Sequence, residues 1–348
     1  ILVKGANRHE MNPERGYALT YEDMLRDIKI MKEHNLNAVR TCHYPDSPLW
    51  YDLCDKYGIY VVDEANVESH GMGYGDKSLA HREDYKAAHL ARNQRVVLRD
   101  YNHPSVIVWS LGNEAGGYHN TDAMYDYLKL RSDLPVHYES AIHCKRIAYD
   151  VGSEMYPSVQ MVHDAGEHCR KQKQLNDRPY FMCEYAHAMG VGPGNTEAYW
   201  EEIYKYDNLI GGCVWEMVDH AVLHEDGSYT YGGDHGEWSH DGNFCVDGLF
   251  YPDRTPSAGA KIIRFIYRPI RVKHISGSTF EVFNTTAFSE GSRYQLTFTW
   301  NDGSVTVITP DAGPLQKSVI IVPEPEAIEG NLSVIVSTED LRTGKTVS

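Results

Sequence analysis

Two apolar runs in this 348-residue chain each end in a glutamate set among small or polar residues. Val106–Leu111 leads into Gly112, Asn113, Glu114 and Ala115, in "SLGNEAGG". Tyr180–Cys183 leads into Glu184, Tyr185, Ala186 and His187, in "MCEYAHAMG". Two carboxyl groups facing each other can cleave a glycosidic bond. One protonates the leaving oxygen, and the other attacks the anomeric carbon or activates water. In a retaining enzyme the two stand about 5–5.5 Å apart. A single glutamate is better read as a helix cap or as a partner of Arg8 or Arg40. Two on opposed strand ends, inside a polar bowl, favour chemistry.

The elements that would position them alternate along the chain. Strand-like runs are Ile1–Val3, Asn37–Val39, Ile59–Val62, Ser105–Leu111, Val136–Tyr138, Asp150–Met155, Tyr180–Cys183 and Leu209–Trp215. Helical patterns lie between most of them. Thr20 and Asp23 form a capping box before one helix; Ser47 caps a second, with Pro48 in its first turn and Gly58 as its stop. Others cover Glu83–Arg99, Asp122–Leu130 and Glu197–Tyr206. Eight alternating repeats predict an α/β fold, a (β/α)8 TIM barrel. A doubly wound sheet is the rival, but the Gly-rich phosphate turn expected after its first strand is absent.

In such a barrel the chemistry sits at the carboxyl ends of the strands. Those ends deliver Asn7, Arg8, His9 and Glu10, then Arg40 and His43, then Glu64, Asn66, Glu68 and His70. Asn113 and Glu114, Met155 and Tyr156, Glu184, Tyr185 and His187, and finally Trp215 follow. Asn113 can hydrogen-bond a sugar hydroxyl, and Trp215 offers a face to sugar C–H bonds. Glu68 and His70, two apart on an extended segment, can hold a divalent cation with Glu114; a hydrogen-bonded His–Glu pair explains the same residues. His34, His81 and His89 read as solvated helix residues, and Cys183 as a core thiol.

From about Ser276 the pattern changes to short alternating strands: Phe280–Phe283, Tyr294–Trp300, Ser304–Ile308, Ser318–Val322 and Leu332–Val336. Asn301-Asp302-Gly303 marks a hairpin turn. We therefore expect a barrel over residues 1–265 and a small antiparallel β-sandwich over 266–348, with a long irregular stretch at 216–275. Ile1 enters a strand without a lead-in and the chain stops without a cap, so a piece of a longer protein is expected.

Lys and Arg number 33 against 49 Asp and Glu, a net charge of −16, with no basic run. Nucleic acid and anionic membranes are thus poor partners. No apolar stretch approaches membrane-spanning length. The 7 cysteines are scattered, which argues against a disulfide framework or zinc ribbon and for a reducing cytoplasm.

The stretches "KGANRHE", "NAVRTCHYPDSPLWYDLCDKYGIYVVDEANVESHGM", "NHPSVIVWSLGNEAGG", "MCEYAHAMG", "GGCVWEMVD" and "NFCVDGL" carry a resemblance. Over about Leu2 to Arg254 the chain resembles the second glycoside hydrolase family, in its branch of bacterial lactose-cleaving β-galactosidases. The resemblance implies a retaining mechanism with Glu114 as general acid/base, Glu184 as nucleophile and Tyr156 assisting. It implies galactose-side contacts at His9, His43, Asn113 and His187, with Met155 beside them, Arg40 next to the nucleophile and Trp215 as aromatic floor. It implies Mg2+ at Glu68, His70 and Glu114, and Na+ at the Phe244 backbone oxygen and the Asp247 side chain. It also implies further domains that complete the site, and a homo-oligomer at full length. Glu216-Met217 stands where many relatives have Asp-Trp, and Asp247 where some have Asn. The rival readings are a β-glycosidase acting on glucuronides or mannosides and a non-catalytic sugar-binding scaffold. A glucuronidase would need a basic pocket, and no clear Asn-x-Lys motif supplies one.

Overall fold

The computed structural model describes residues 1–116, 119–139, 141, 149–171, 173–323, 325 and 333–348. Two compact units emerge. One comprises Val3–Lys32 and Leu36–Lys261; the other comprises Ile262–Ser348 with Ile1–Leu2 and Glu33–Asn35.

The first unit is a TIM barrel. Its strands are β1 (Val3–Asn7), β2 (Ala38–Arg40), β3 (Tyr60–Glu64), β4 (Val106–Ser110), β5 (Val136–His137), β6 (Gly152–Met155), β7 (Tyr180–Tyr185) and β8 (Leu209–Val214). They run parallel in the order β5-β4-β3-β2-β1-β8-β7-β6, so β4 and β7 are each the second strand from an edge of the sheet. Val3, Ala38, Val62, Val108, Val151, Phe181, Cys183 and Cys213 pack together inside the ring, and Cys183 is the core thiol expected of it.

Helices α1 (Tyr21–Glu33), α2 (Pro48–Tyr57), α3 (Glu83–Asp100), α4 (His119–Lys129), α5 (Val159–Gly166) and α6 (Thr196–Ile203) follow the strands. The capping box of α1 forms: Thr20 N–H donates to Asp23 at 2.8 Å, and Asp23 N–H to Thr20 Oγ1 at 3.2 Å. Helix α2 starts at Pro48 and ends at Gly58, which has φ 69°, but the Ser47 side chain makes no cap bond. No described helix is long and apolar enough to cross a membrane.

Several expectations are corrected. Strand β1 is Val3–Asn7 rather than Ile1–Val3, because its polar end is buried and bonded: Asn7 Nδ2 donates to the Cys183 and Cys213 carbonyls at 2.9 and 3.2 Å. His89 is buried, not solvated, with Nδ1 3.0 Å from the Tyr85 carbonyl. Helix α5 and helix α7 (Ala258–Ile266) escaped the sequence reading. Arg8 turns away from the mouth. It is buried over the Trp50 ring and pairs with Asp27 and Asp46 at 3.0 and 2.6 Å.

After β8 comes the antiparallel pair β9 (Val222–Leu223) and β10 (Tyr229–Thr230). In the second unit β11 (Ile270–Ser276), β12 (Thr279–Asn284) and β15 (Lys317–Ile321) form one antiparallel sheet. A second holds β14 (Val305–Ile308), β13 (Tyr294–Trp300), β16 (Val334–Asp340) and β17 (Lys345–Thr346). Residues of both sheets, among them Ile270, Phe280, Val282, Leu296 and Phe298, share one buried core, which makes a sandwich. Strand β11 was not anticipated. Of the expected strand Leu332–Val336, Leu332 lies outside the described residues.

Candidate active site

Arg40, at the end of β2, is fully buried and organises the barrel mouth. Its Nε and Nη2 donate to the two oxygens of Glu64 at 2.8 and 3.1 Å. Its Nη1 donates to Asn7 Oδ1 at 3.0 Å and to Glu184 Oε1 at 2.8 Å, and Nη2 donates to Asn113 Oδ1 at 2.7 Å. The other oxygen of Glu184 accepts the Tyr156 hydroxyl at 3.0 Å. Both oxygens of Glu184 are thus held from opposite sides. Burial, with Glu184 next to it, pushes the Tyr156 phenol upward, so it stays an O–H donor at neutral pH.

Below this layer Ser110 Oγ donates to Glu64 at 2.6 Å, and His137 bridges Ser110 and Ser153 at 2.9 and 2.8 Å. Burial and the Arg40 charge take His137 down to about 3, so it is neutral. Burial opposes ionisation of Glu64, but Arg40 and His43 outweigh it and hold the carboxyl at about 2. A carboxyl lowered from 4.5 stabilises the fold above 4.5, and that contribution is lost as pH falls towards 2. Glu64→Gln is therefore expected to cost about 3 kcal/mol at pH 7. Urea unfolding of both proteins should show the gap closing as the pH drops from 4.5 towards 2. A gap independent of pH would mean the Glu64 charge is not its source.

Glu114 stands across the mouth. Gly112 has φ 135°, and a Cβ there would lie 2.5 Å from the Val67 carbonyl, so only glycine admits the chain at this point. Asn113 pairs in parallel with Glu68. Glu114 itself has φ 37°, Tyr156 has φ 48° and Ala186 has φ 53°. Left-handed backbone at a non-glycine residue is strained, and here it flanks both acids. His70 Nδ1 lies 2.8 Å from Glu114 Oε2, and Tyr74 donates to Oε1 at 3.2 Å. Asn113 Nδ2 donates to Glu68 Oε2 at 2.8 Å. One donor atom each from Glu68, His70 and Glu114 lies within 4.8 Å of the others. His70 begins a short 3-10 turn, so the convergence comes from that turn and not from extended backbone.

Trp215 closes the floor. Its ring stacks on His43 at 5.4 Å with a 12° tilt, and its Nε1 donates to Asp247 Oδ2 at 2.8 Å. His9 meets Trp215 edge-on at 5.7 Å and lies 3.0 Å from the Tyr44 hydroxyl. Burial takes His9 down to about 4. His187 lies 3.7 Å from Asp247, with its ring beside Tyr156 and Phe244. Met155, at the end of β6, is in register with Glu184. Burial and Glu216 raise Asp247 to about 8.

Most of the expected residues from seven strand ends therefore gather at one mouth, with the loop after β8 laced over it; Arg8 does not, and Tyr185 turns to helix α6, its hydroxyl accepting from Trp200 Nε1 at 2.9 Å. Glu216 N–H donates to the Asp247 carbonyl and Met217 N–H to that of Asn7, each at 3.0 Å. Two members were missed. Glu139, just past β5, accepts the Glu114 backbone N–H at 2.7 Å, and extending the strand-end rule to the fifth strand finds it. Tyr74 sits in a glycine-rich loop that carries no strand or helix signal.

Residues 1–272 match the family described as glycosyl hydrolases family 2, TIM barrel domain. The chain is 44% identical over 270 residues to a beta-galactosidase of Psychromonas ingrahamii, covering 73% of this chain and 26% of that protein. It is 42% identical over 283 residues to a beta-galactosidase of Photobacterium profundum, covering 78% and 27%. The chain thus spans about a quarter of the length of these curated relatives. A beta-D-glucuronidase from Dictyoglomus thermophilum superposes with a TM-score of 0.60 at 21% identity, over 76% of this chain and 50% of that one.

Proposed function

Starting from the fact that the chain belongs to glycosyl hydrolase family 2 by its TIM barrel domain, we propose that it is the catalytic region of a retaining exo-β-galactosidase. The observation that carries this reading is the clamp on Glu184. Arg40 takes one oxygen and Tyr156 the other, while Glu114 stands past the end of β4 at the same mouth. Glu184 attacks the anomeric carbon of a terminal β-galactoside as Glu114 protonates the departing oxygen. Glu114 then takes a proton from water, which releases galactose with its configuration retained. Tyr156 steadies the nucleophile before attack.

His9, His43, Asn113, Met155 and His187 line the galactose side, and Trp215 forms the floor. Stacking on His43 and the bond to Asp247 fix its plane. Arg40 is taken up by Glu64 and Glu184, which suits a neutral sugar better than a uronate. The names of the 42–44% identical relatives support galactosides, lactose among them.

Two carboxylates and an imidazole within 4.8 Å fit Mg2+, with waters filling the remaining positions. Glu68, His70 and Glu114 would hold it, and bound there it would supply positive charge beside the acid/base. Asp247 sits against Glu216, whose charge opposes its ionisation; a Na+ held by Asp247 and the Phe244 backbone oxygen would offset that crowding. The described cysteines are free, which supports a reducing, cytoplasmic setting. Residues of further domains and of a second subunit complete the pocket in the full-length homo-oligomer, so this chain alone should hydrolyse lactose weakly or not at all.

A dinitrophenyl 2-deoxy-2-fluoro-β-galactoside tests the reading, since one trapping event suffices. The expected result is a fluorogalactosyl ester on Glu184, found by peptide mass mapping, with no labelling by the matching glucuronide. Labelling of another residue, faster labelling by the glucuronide, or no label at all would overturn it.

A further inference from the structure

A second cluster of donors lies under the Trp215 floor, apart from Glu68, His70 and Glu114. His9, Cys42 and Glu216 each offer one donor atom, and these three atoms lie within 4.8 Å of one another. They come from the ends of β1, β2 and β8. Cys42 is fully buried and Glu216 nearly so. His220 joins them. Its Nε2 lies 3.5 Å from Glu216 Oε2, and its ring meets the His9 ring edge-on at 5.3 Å.

Three features mark this as a site rather than a packed core. Buried Glu216 stands against both the Asp247 carboxyl and His220, which lies 3.5 Å from its Oε2, so a cation there would offset two crowded carboxyls. His9 is held by Tyr44 through Nδ1, the kind of outer contact that orients a ligating imidazole. Arg40 faces the same floor, but its charge is met by Glu64 and Glu184.

We propose that His9, Cys42 and Glu216 form a binding site for a borderline divalent ion of the Zn2+ class, with His220, beside Glu216, swinging in as the fourth ligand. One thiolate, two imidazoles and one carboxylate are the donor mixture such ions take in tetrahedral geometry. A tetrahedral ion would draw the donors of His9, Cys42 and Glu216 to about 3.3–3.8 Å apart, from within 4.8 Å, and would bring His220 in from its place beside Glu216. Mg2+ discriminates against this set, because it prefers oxygen and keeps its waters. Binding sends the Cys42 thiol proton, and any proton on His220, to solvent, so the affinity rises with pH. The ion takes His9 out of the floor beside Trp215, so loading opposes occupation of that floor.

Cobalt is the probe, because a cobalt–thiolate bond gives a near-ultraviolet charge-transfer band that oxygen and nitrogen ligands do not. Co2+ is titrated into the metal-free chain in excess Mg2+. The expected result is a thiolate band that saturates at one equivalent and disappears when Zn2+ is added. Cys42→Ser should abolish the band. His220→Gln, at a partly exposed position that the fold tolerates, should weaken Co2+ binding at least tenfold. Glu68→Gln should leave the band in place. Absence of the band in the folded chain, its survival in Cys42→Ser, or unchanged affinity in His220→Gln would each overturn the assignment.

Discussion

Glu184→Ala is expected to lower turnover of aryl β-galactosides by about 10⁴-fold or more, and added azide is expected to restore part of it. The side chain that forms the covalent bond is gone, and the space it leaves opens toward the anomeric carbon. Azide enters that space and attacks from the same side, so the product is the α-configured galactosyl azide. Arg40 keeps its two bonds to Glu64, its bond to Asn7 and its bond to Asn113, so the barrel should still fold. Circular dichroism checks the fold and NMR of the azide product checks the stereochemistry. A β-configured product, or activity within tenfold of the parent, would sink the assignment of Glu184.

The complementary variant is Glu114→Gly. Glycine accepts the φ of 37° without strain and leaves room for a small anion. The loss should depend on the leaving group. In the full-length enzyme, lactose, with a poor leaving group, loses about 10²–10⁴-fold, the usual worth of a positioned general acid. A dinitrophenyl galactoside needs little protonation, so its first step should survive while release of the galactosyl enzyme slows. Azide then intercepts that intermediate and yields the β-configured galactosyl azide. A uniform loss across leaving groups would instead point to damage of binding, and Glu114 would not be the acid.

The placement of Glu114 and Glu184 at the barrel mouth was legible in the sequence because each follows an apolar strand, and the barrel rule says where such an end points. The alternation of strands and helices was enough for the architecture, and turn chemistry at Asn301-Asp302-Gly303 for part of the sandwich. Strand β1 was misplaced because periodicity assigns Lys4 and Asn7 to a loop. In the structure Asn7 is buried by bonding carbonyls of β7 and β8, a tertiary effect with no local signature. His89 was misread because its burial has no local signature, although its ring contact, to the Tyr85 carbonyl one turn back, is local. The convergence of Glu68, His70 and Glu114 was correctly anticipated, but by way of extended backbone where a 3-10 turn does the work. Tyr74 and Glu139 fix Glu114 from segments that gave no catalytic signal of their own. The grouping of His9, Cys42 and Glu216 has no sequence signature either, because the residues come together only when β1, β2 and β8 are neighbours.

Arg40 bonds to side chains 24, 33, 73 and 144 positions away along the chain. No hairpin or βα unit contains more than a fraction of that set. Contacts of such high sequence separation form late, because the entropy of closing long loops must be met before they reward the chain. During refolding, helical signal should therefore return well before the ability to be labelled at Glu184. A partly built barrel would look ordered and do nothing.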